Sequence, residues 1–220
     1  MRDRSPQGFA VYRAASVLLA LCLMPVTAGA KARDDGSAKY KALVAQLKGG
    51  DTSIDFAALR EAYAQSPDFD WEPDGDLRKQ MYSALDRKDF SGAVKAAQKA
   101  LDKDYLDIDA HHVLSLAYQG TGEPAKARFH HDVMHGLIQA IFSSGDGKGQ
   151  DTAFVVNSTA EEYIIMSILG LLLNKQSLVE GNGHQFDVME CADRKTHEKL
   201  TVYFNIDRPM QAMDKALKQR

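Results

Sequence analysis

Two alanines 34 residues apart, Ala93 and Ala127, constrain this chain more than any other feature. Each follows a short polar turn, Lys88-Asp89 before the first and Gly122-Glu123 before the second. A period of this length marks a stack of helical hairpins, in which small residues let helices approach and each unit buries its apolar face on the next. The helical pattern runs from Ser37 to Ser143. Tyr40, Leu43, Val44 and Leu47 fall at i, i+3, i+4 and i+7, and Gly49-Gly50 stops that helix. Phe56, Leu59 and Tyr63 make the next stripe, ended by Ser66-Pro67. Between the two, Asp51-Thr52-Ser53 and Asp55 offer oxygen acceptors to the free N–H groups of a helix start. Residues 67–75, with two prolines and the single tryptophan, Trp71, read as an ordered connector.

In the second period Leu114, Tyr118, Gly122 and Ala127 occupy the spacings of the core Leu, Tyr, Gly and Ala of a tetratricopeptide repeat. In the first, Ala93 and Ala100 stand at the small positions. Gln80 and Ala84 depart from the pattern, His131 takes an aromatic position, and Tyr105 stands where proline is usual. Residues 74–107 and 108–141 thus resemble two degenerate tetratricopeptide repeats. About three units are usually needed for a stable stack. The helices before Asp74 are expected to supply the third, and the rest of the chain a cap.

The first thirty residues read as an address. Arg2, Arg4 and Arg13 precede an apolar run of eleven, Ala14 to Met24, followed by Pro25 and the small-residue ending Ala28-Gly29-Ala30. That order is the order of a secretory signal peptide. Eleven helical residues span about 16 Å, short of a bilayer core of about 30 Å. An uncleaved anchor is one alternative. A lipoprotein at Cys22 is another, although its context Leu19-Ala20-Leu21-Cys22 puts a bulky Leu where such a site has a small residue. Cleavage is expected near Ala30, giving an exported protein, periplasmic or extracellular, that does not span a membrane.

Removing that leader takes three of the 27 Lys and Arg and one of the 30 Asp and Glu, leaving a net charge of −5 on residues 31–220. An acidic surface argues against a nucleic-acid partner. With 45% hydrophobic residues the chain can build a core, and two cysteines make neither a disulfide scaffold nor a four-thiolate zinc site. Cys191, alone after cleavage, is expected to be a packed thiol at the end of a half-buried strand.

Beyond Ser143 the pattern changes. Residues 143–151 hold three glycines and no apolar side chain, and Thr152 to Val156 is a short strand candidate. Glu161 to Asn174 reads as a helix, apolar from Tyr163 to Leu173 apart from Ser167 and Gly170, and so expected to be buried or self-associating. Phe186–Cys191 and Leu200–Ile206 read as strands joined by the charged segment 192–199. Gly181-Asn182-Gly183 forms the turn before the first, and Pro209 ends the second. Met210, Met213 and Leu217 suggest a terminal amphipathic helix. The expected fold is mainly α: leader 1–30, tetratricopeptide-like helical hairpins over 31–143, and a small α+β unit over 144–220 packed on them.

Three blocks together are similar to a family of exported bacterial proteins known only as a domain of unknown function with a tetratricopeptide-like region. They are Asp55 to Tyr63 (DFAALREAY), Ser144-Gly145-Asp146-Gly147 with Glu161-Glu162-Tyr163, and Tyr203-Phe204-Asn205-Ile206. The resemblance implies export and architecture, and it names no catalytic residue.

The Gly-rich loop 144–149 is the first candidate site. Its glycines allow backbone N–H groups to converge on an anion, or let Asp146 and Asp151 face a cation. It matches neither a P-loop nor an EF-hand, and it serves equally as a structural turn. Glu161 and Glu162 sit where a helix dipole favours carboxylates, and one of them could instead act as a base facing the loop. His131 and His135 lie four apart, on one helix face, as metal ligands do. Asp132 replaces the Glu of a zinc-protease motif. No cofactor is expected. The leading reading is a non-enzymatic module that binds a protein or peptide partner in the cell envelope. A hydrolase or metal-dependent enzyme built on the loop, the glutamates and the histidines is the alternative.

Overall fold

Aspartates set the helix starts. The computed structural model describes residues 36–72 and 74–218, so the expected leader, residues 1–30, lies outside the described residues. The first helix, α1, is Ser37–Lys48. Then α2 (Phe56–Gln65), α3 (Gly75–Asp86), α4 (Phe90–Lys103) and α5 (Ile108–Gly120) open behind Asp55, Asp74, Asp89 and Asp107. The carboxylate of each accepts a backbone N–H of the first turn, as at Ala58 (2.9 Å), Gly92 (2.9 Å) and Ala110 (2.8 Å). Such a cap contributes about 1 kcal/mol. Helix α6 (Pro124–Phe142) starts on a proline, whose missing N–H costs nothing there.

Turns of three residues, 87–89 and 121–123, join α3 to α4 and α5 to α6, and connections that short make antiparallel neighbours. Ala93 and Ala127 each fall fourth in the second helix of a pair, and both are buried. Met81, Ala93, Ala97 and Leu114 centre one apolar cluster across α3 to α5. A second cluster gathers Leu47, Leu59 and Tyr63 with Leu137 and Ile141 of α6, and continues into the C-terminal unit through Ile165 and Phe204. The connector between α2 and α3 is ordered on Tyr63. Phe69 meets that ring edge-on at 5.1 Å, and the Asp70 N–H donates to its hydroxyl at 3.0 Å.

The C-terminal unit holds a single 3-10 turn (Gln150–Thr152), β1 (Phe154–Val155), α7 (Thr159–Ile168), β2 (Leu171–Gly181), β3 (His184–Asp193), β4 (Lys199–Asn205) and α8 (Asp207–Lys218). The strand order is β1-β4-β3-β2, with β1 parallel to β4 and the other pairs antiparallel. A mainly helical chain ending in a small α+β unit is the fold expected from the sequence.

One element differs. The helix expected to run to Asn174 stops at Ile168, and residues 171–181 form the edge strand β2. Gly170 at φ +69° takes the left-handed conformation that ends helices, and its N–H closes the last turn on Ser167. The apolar run is buried only in part: Ile165, Met166 and Leu171 are in the core, but Tyr163 is 48% and Ile168 50% exposed. Asn182-Gly183, with φ of 53° and 79°, makes the tight β2–β3 hairpin. Pro209 lies inside the first turn of α8 rather than at a strand end.

Candidate functional site

The glycine loop is closed on itself. The N–H groups of Asp146 and Gly147 do converge, but on the carbonyl of Thr152, at 2.9 and 2.8 Å. Asp146 accepts from the Thr152 hydroxyl at 2.6 Å and the Lys148 N–H at 3.1 Å. The hydroxyl bond is the chief cause holding its carboxyl down at about 2. Ser144 donates its hydroxyl to Ile141 and accepts from the Val155 N–H. A Cβ on Gly145 would strike the Thr152 carbonyl, and one on Gly147 the Phe154 ring. Asp151 is exposed in the 3-10 turn. The loop therefore fixes the entry of β1.

Glu161 and Glu162 leave α7 in different directions. Glu161 forms a two-pronged ion pair with Arg60 of α2, and both side chains are buried. Arg60 also donates to the Val155 carbonyl at 2.9 Å, and Glu161 accepts the Asn157 N–H at 2.6 Å. Sequence reasoning missed Arg60. The signal was its spacing: with Phe56 and Tyr63 it stands at i, i+4, i+7, so a guanidinium on an inward stripe needed a distant carboxylate. Glu162 is fully buried, and no hydrogen-bond donor reaches either of its oxygens. Burial pushes its carboxyl up to about 9, with the nearby negative charges of Asp187 and Glu161 adding to the effect. At neutral pH it is a neutral acid sharing its proton with Asp187, which in turn accepts from Gln176 at 2.7 Å.

His131 and His135 stack 6.3 Å apart on the exposed side of α6. Among the described residues no group of three His, Cys, Asp or Glu side chains is placed to hold a metal. A different pair is buried. His111 and His130 meet through Nδ1 at 3.0 Å, and His111 Nε2 lies 3.0 Å from the Tyr105 carbonyl. That carbonyl can only accept, so His111 carries its proton on Nε2 and receives the His130 Nδ1–H. Burial holds both imidazoles neutral, at about 3 for His111 and about 4 for His130. Cys191 is buried, its thiol 3.2 Å from the Met189 carbonyl and its ionisation raised by that burial.

Polar groups gather instead on either side of the 66–72 connector. On one side lies a cleft of about 50 Å³ where α3 to α5 face the start of α7, bordered by Arg78, Asp104, Asp107, Asp109, Asn157 and Glu161. Burial pushes Asp104 up to about 7 and Asp107 up to about 6. On the other side a groove of about 800 Å³ separates α2 and the connector from α8. Pro67, Phe69, Trp71, Ala212 and Ala216 give it apolar walls, and Arg208 closes one end. Arg208 donates to the Asn157 side-chain oxygen at 2.9 Å and pairs with Glu61, so one hydrogen bond joins cleft and groove.

No curated protein matches this chain, and no solved structure does. A family model does match, over residues 30–215, nearly the whole of what the fold comprises. The chain belongs to that family, a domain of unknown function designated DUF4919.

Proposed function

We propose that this chain is an exported, non-catalytic module that holds an extended peptide segment of a partner protein in the cell envelope. The groove beside Trp71 carries the reading. Its volume of about 800 Å³ suits several side chains, within the 300–1,000 Å³ typical of ligand pockets. Its walls combine an aromatic anchor with mixed charges, Glu61 and Asp207 against Arg208 and Lys215, as peptide grooves do. Two further features support it. The paired helices with Ala93 and Ala127 at equivalent places fit a tetratricopeptide-like stack, a scaffold for protein recognition. The basic, apolar and small-residue order of residues 1–30 fits export. The groups a hydrolase would need are engaged in holding the fold: Asp146 by Thr152, Glu161 by Arg60.

Panning a random-peptide phage library on the protein tests the reading. Peptides with a shared apolar or aromatic position are expected to be enriched. Their synthetic forms should shift the fluorescence of Trp71 and bind Trp71→Ala at least tenfold more weakly. Enrichment equal on wild type and Trp71→Ala would reject the groove.

A further inference from the structure

The carboxylates around the cleft are not equivalent. Asp109 is matched by Arg78 at 2.6 Å, Asp74 by Lys103 at 2.5 Å, and Glu161 by Arg60. Asp104 and Asp107 form no ion pair among the described residues. Each accepts a backbone N–H, from Leu106 and Ala110, both at 2.8 Å, and Asp104 also meets the Tyr63 hydroxyl, so both have neutral donors and neither has a positive charge. Two part-buried carboxylates side by side without a cation are costly unless they stay protonated or something brings the charge.

Asn157 is a second, separate sign. It borders the same cleft, is 4% exposed, and its Nδ2 has no acceptor. Its orientation is not free: Arg208 donates to Oδ1, which fixes the amide nitrogen as the unpaired end. A buried N–H without a partner costs about 1–3 kcal/mol, and such groups in native proteins usually meet a ligand or water.

A cleft of about 50 Å³ holds only a few heavy atoms, since about 10–15 Å³ of such space admits one water. The missing partner must therefore be compact, donate through a positive charge to Asp104 and Asp107, and offer an acceptor to Asn157 within a few bonds. We infer that the cleft binds the amino terminus of a peptide, the α-ammonium between Asp104 and Asp107 and the first carbonyl on Asn157 Nδ2. A lysine side chain supplies the charge but carries its nearest carbonyl too far away. This site lies across the connector from the Trp71 groove and stands on different residues.

Titration with dialanine amide, read by amide chemical shifts of residues 104–110 and 157 at pH 7.5, tests it. N-acetyl-dialanine amide, ethylamine and Mg²⁺ serve as comparisons. Saturable shifts with dialanine amide are expected, at least tenfold weaker with ethylamine and absent with the acetylated form. Asp104→Asn and Asp107→Asn keep an oxygen for Leu106 and Ala110, so both should fold while binding at least tenfold more weakly. Trp71→Ala should bind dialanine amide as wild type does, which separates this site from the groove. The inference is overturned by no saturable shift, by equal binding of the acetylated or ethylamine probe, by the same shifts from Mg²⁺ alone, or by full affinity in both folded variants.

Discussion

Replacing Glu162 by glutamine should make the protein more stable, and by an amount that depends on pH. Folding takes this carboxyl from 4.5 to about 9, so between those values the folded chain binds a proton that the unfolded chain has released. Stability from this group is fully present below pH 4.5, falls as pH rises through the interval, and levels off above 9. At pH 7.5 the interval already crossed is about three units, or about 4 kcal/mol at 1.36 kcal/mol per unit. Glutamine fills the same volume, needs no proton, and its Nε2–H donates to Asp187 where the shared proton stood. Glu162→Gln should therefore gain up to about 4 kcal/mol at pH 7.5 and close to nothing at pH 4.5. For a chain of this size that is a rise in Tm of about 8–16 °C at the higher pH.

Urea unfolding followed by circular dichroism and Trp71 fluorescence, at four pH values from 4.5 to 9, gives the difference profile. Asp104, Asp107 and the His111–His130 pair also titrate on unfolding, but they are common to both proteins and cancel. Parallel profiles, or a variant less stable than wild type at pH 7.5, would refute the reasoning. Either would mean that Glu162 is ionised in the folded state and finds a donor there.

Three other outcomes follow from the geometry. Arg60→Leu strands Glu161 in the interior and should cost about 3–5 kcal/mol in urea unfolding, part of which Glu161→Leu in the same chain restores by removing the orphaned charge. In the glycine loop, Gly145→Ala and Gly147→Ala should each cost about 1–3 kcal/mol, because the new methyl meets the Thr152 carbonyl or the Phe154 ring. Gly149→Ala, with open space at its Cβ, should stay within about 0.5 kcal/mol; equal effects at all three would contradict the structural role given to the loop. His111, held neutral down to about 3, should show no imidazole titration by NMR between pH 5 and 8. Because its folded value lies below 6.5, its contribution to stability is complete above 6.5 and drains away as pH falls toward 3.

What the sequence made legible were features with local causes. Asp55 caps α2, whose apolar stripe starts at once, so type and start could both be read there. Strand β2 could not, because Leu171, Leu172 and Leu173 prolong an apolar run that has begun as a helix. Gly170 alone marks the break, and a glycine inside a helical pattern is weak punctuation. The site residues failed for a different reason. Arg60 and Glu161 are 101 positions apart, and Asn157 and Arg208 are 51 apart, so neither contact has a local signature. Asp104 and Asp107 look like ordinary turn and cap residues, and they are that too.

The interior carboxylates of this chain show three ways of meeting one cost. Glu161 is matched by a guanidinium, Glu162 is kept neutral chiefly by burial, its proton shared with Asp187, and Asp104 and Asp107 have backbone N–H groups, with the Tyr63 hydroxyl also on Asp104, but no cation among the described residues. The first arrangement pairs a charge inside the protein, and the second removes one. The third borders a cleft, beside an amide whose nitrogen is also unanswered. If those aspartates served the fold alone, asparagine would satisfy the same backbone N–H groups at less electrostatic cost. Two acids without a cation beside an opening set this cleft apart from the glycine loop, whose donors and acceptors are already spent on each other.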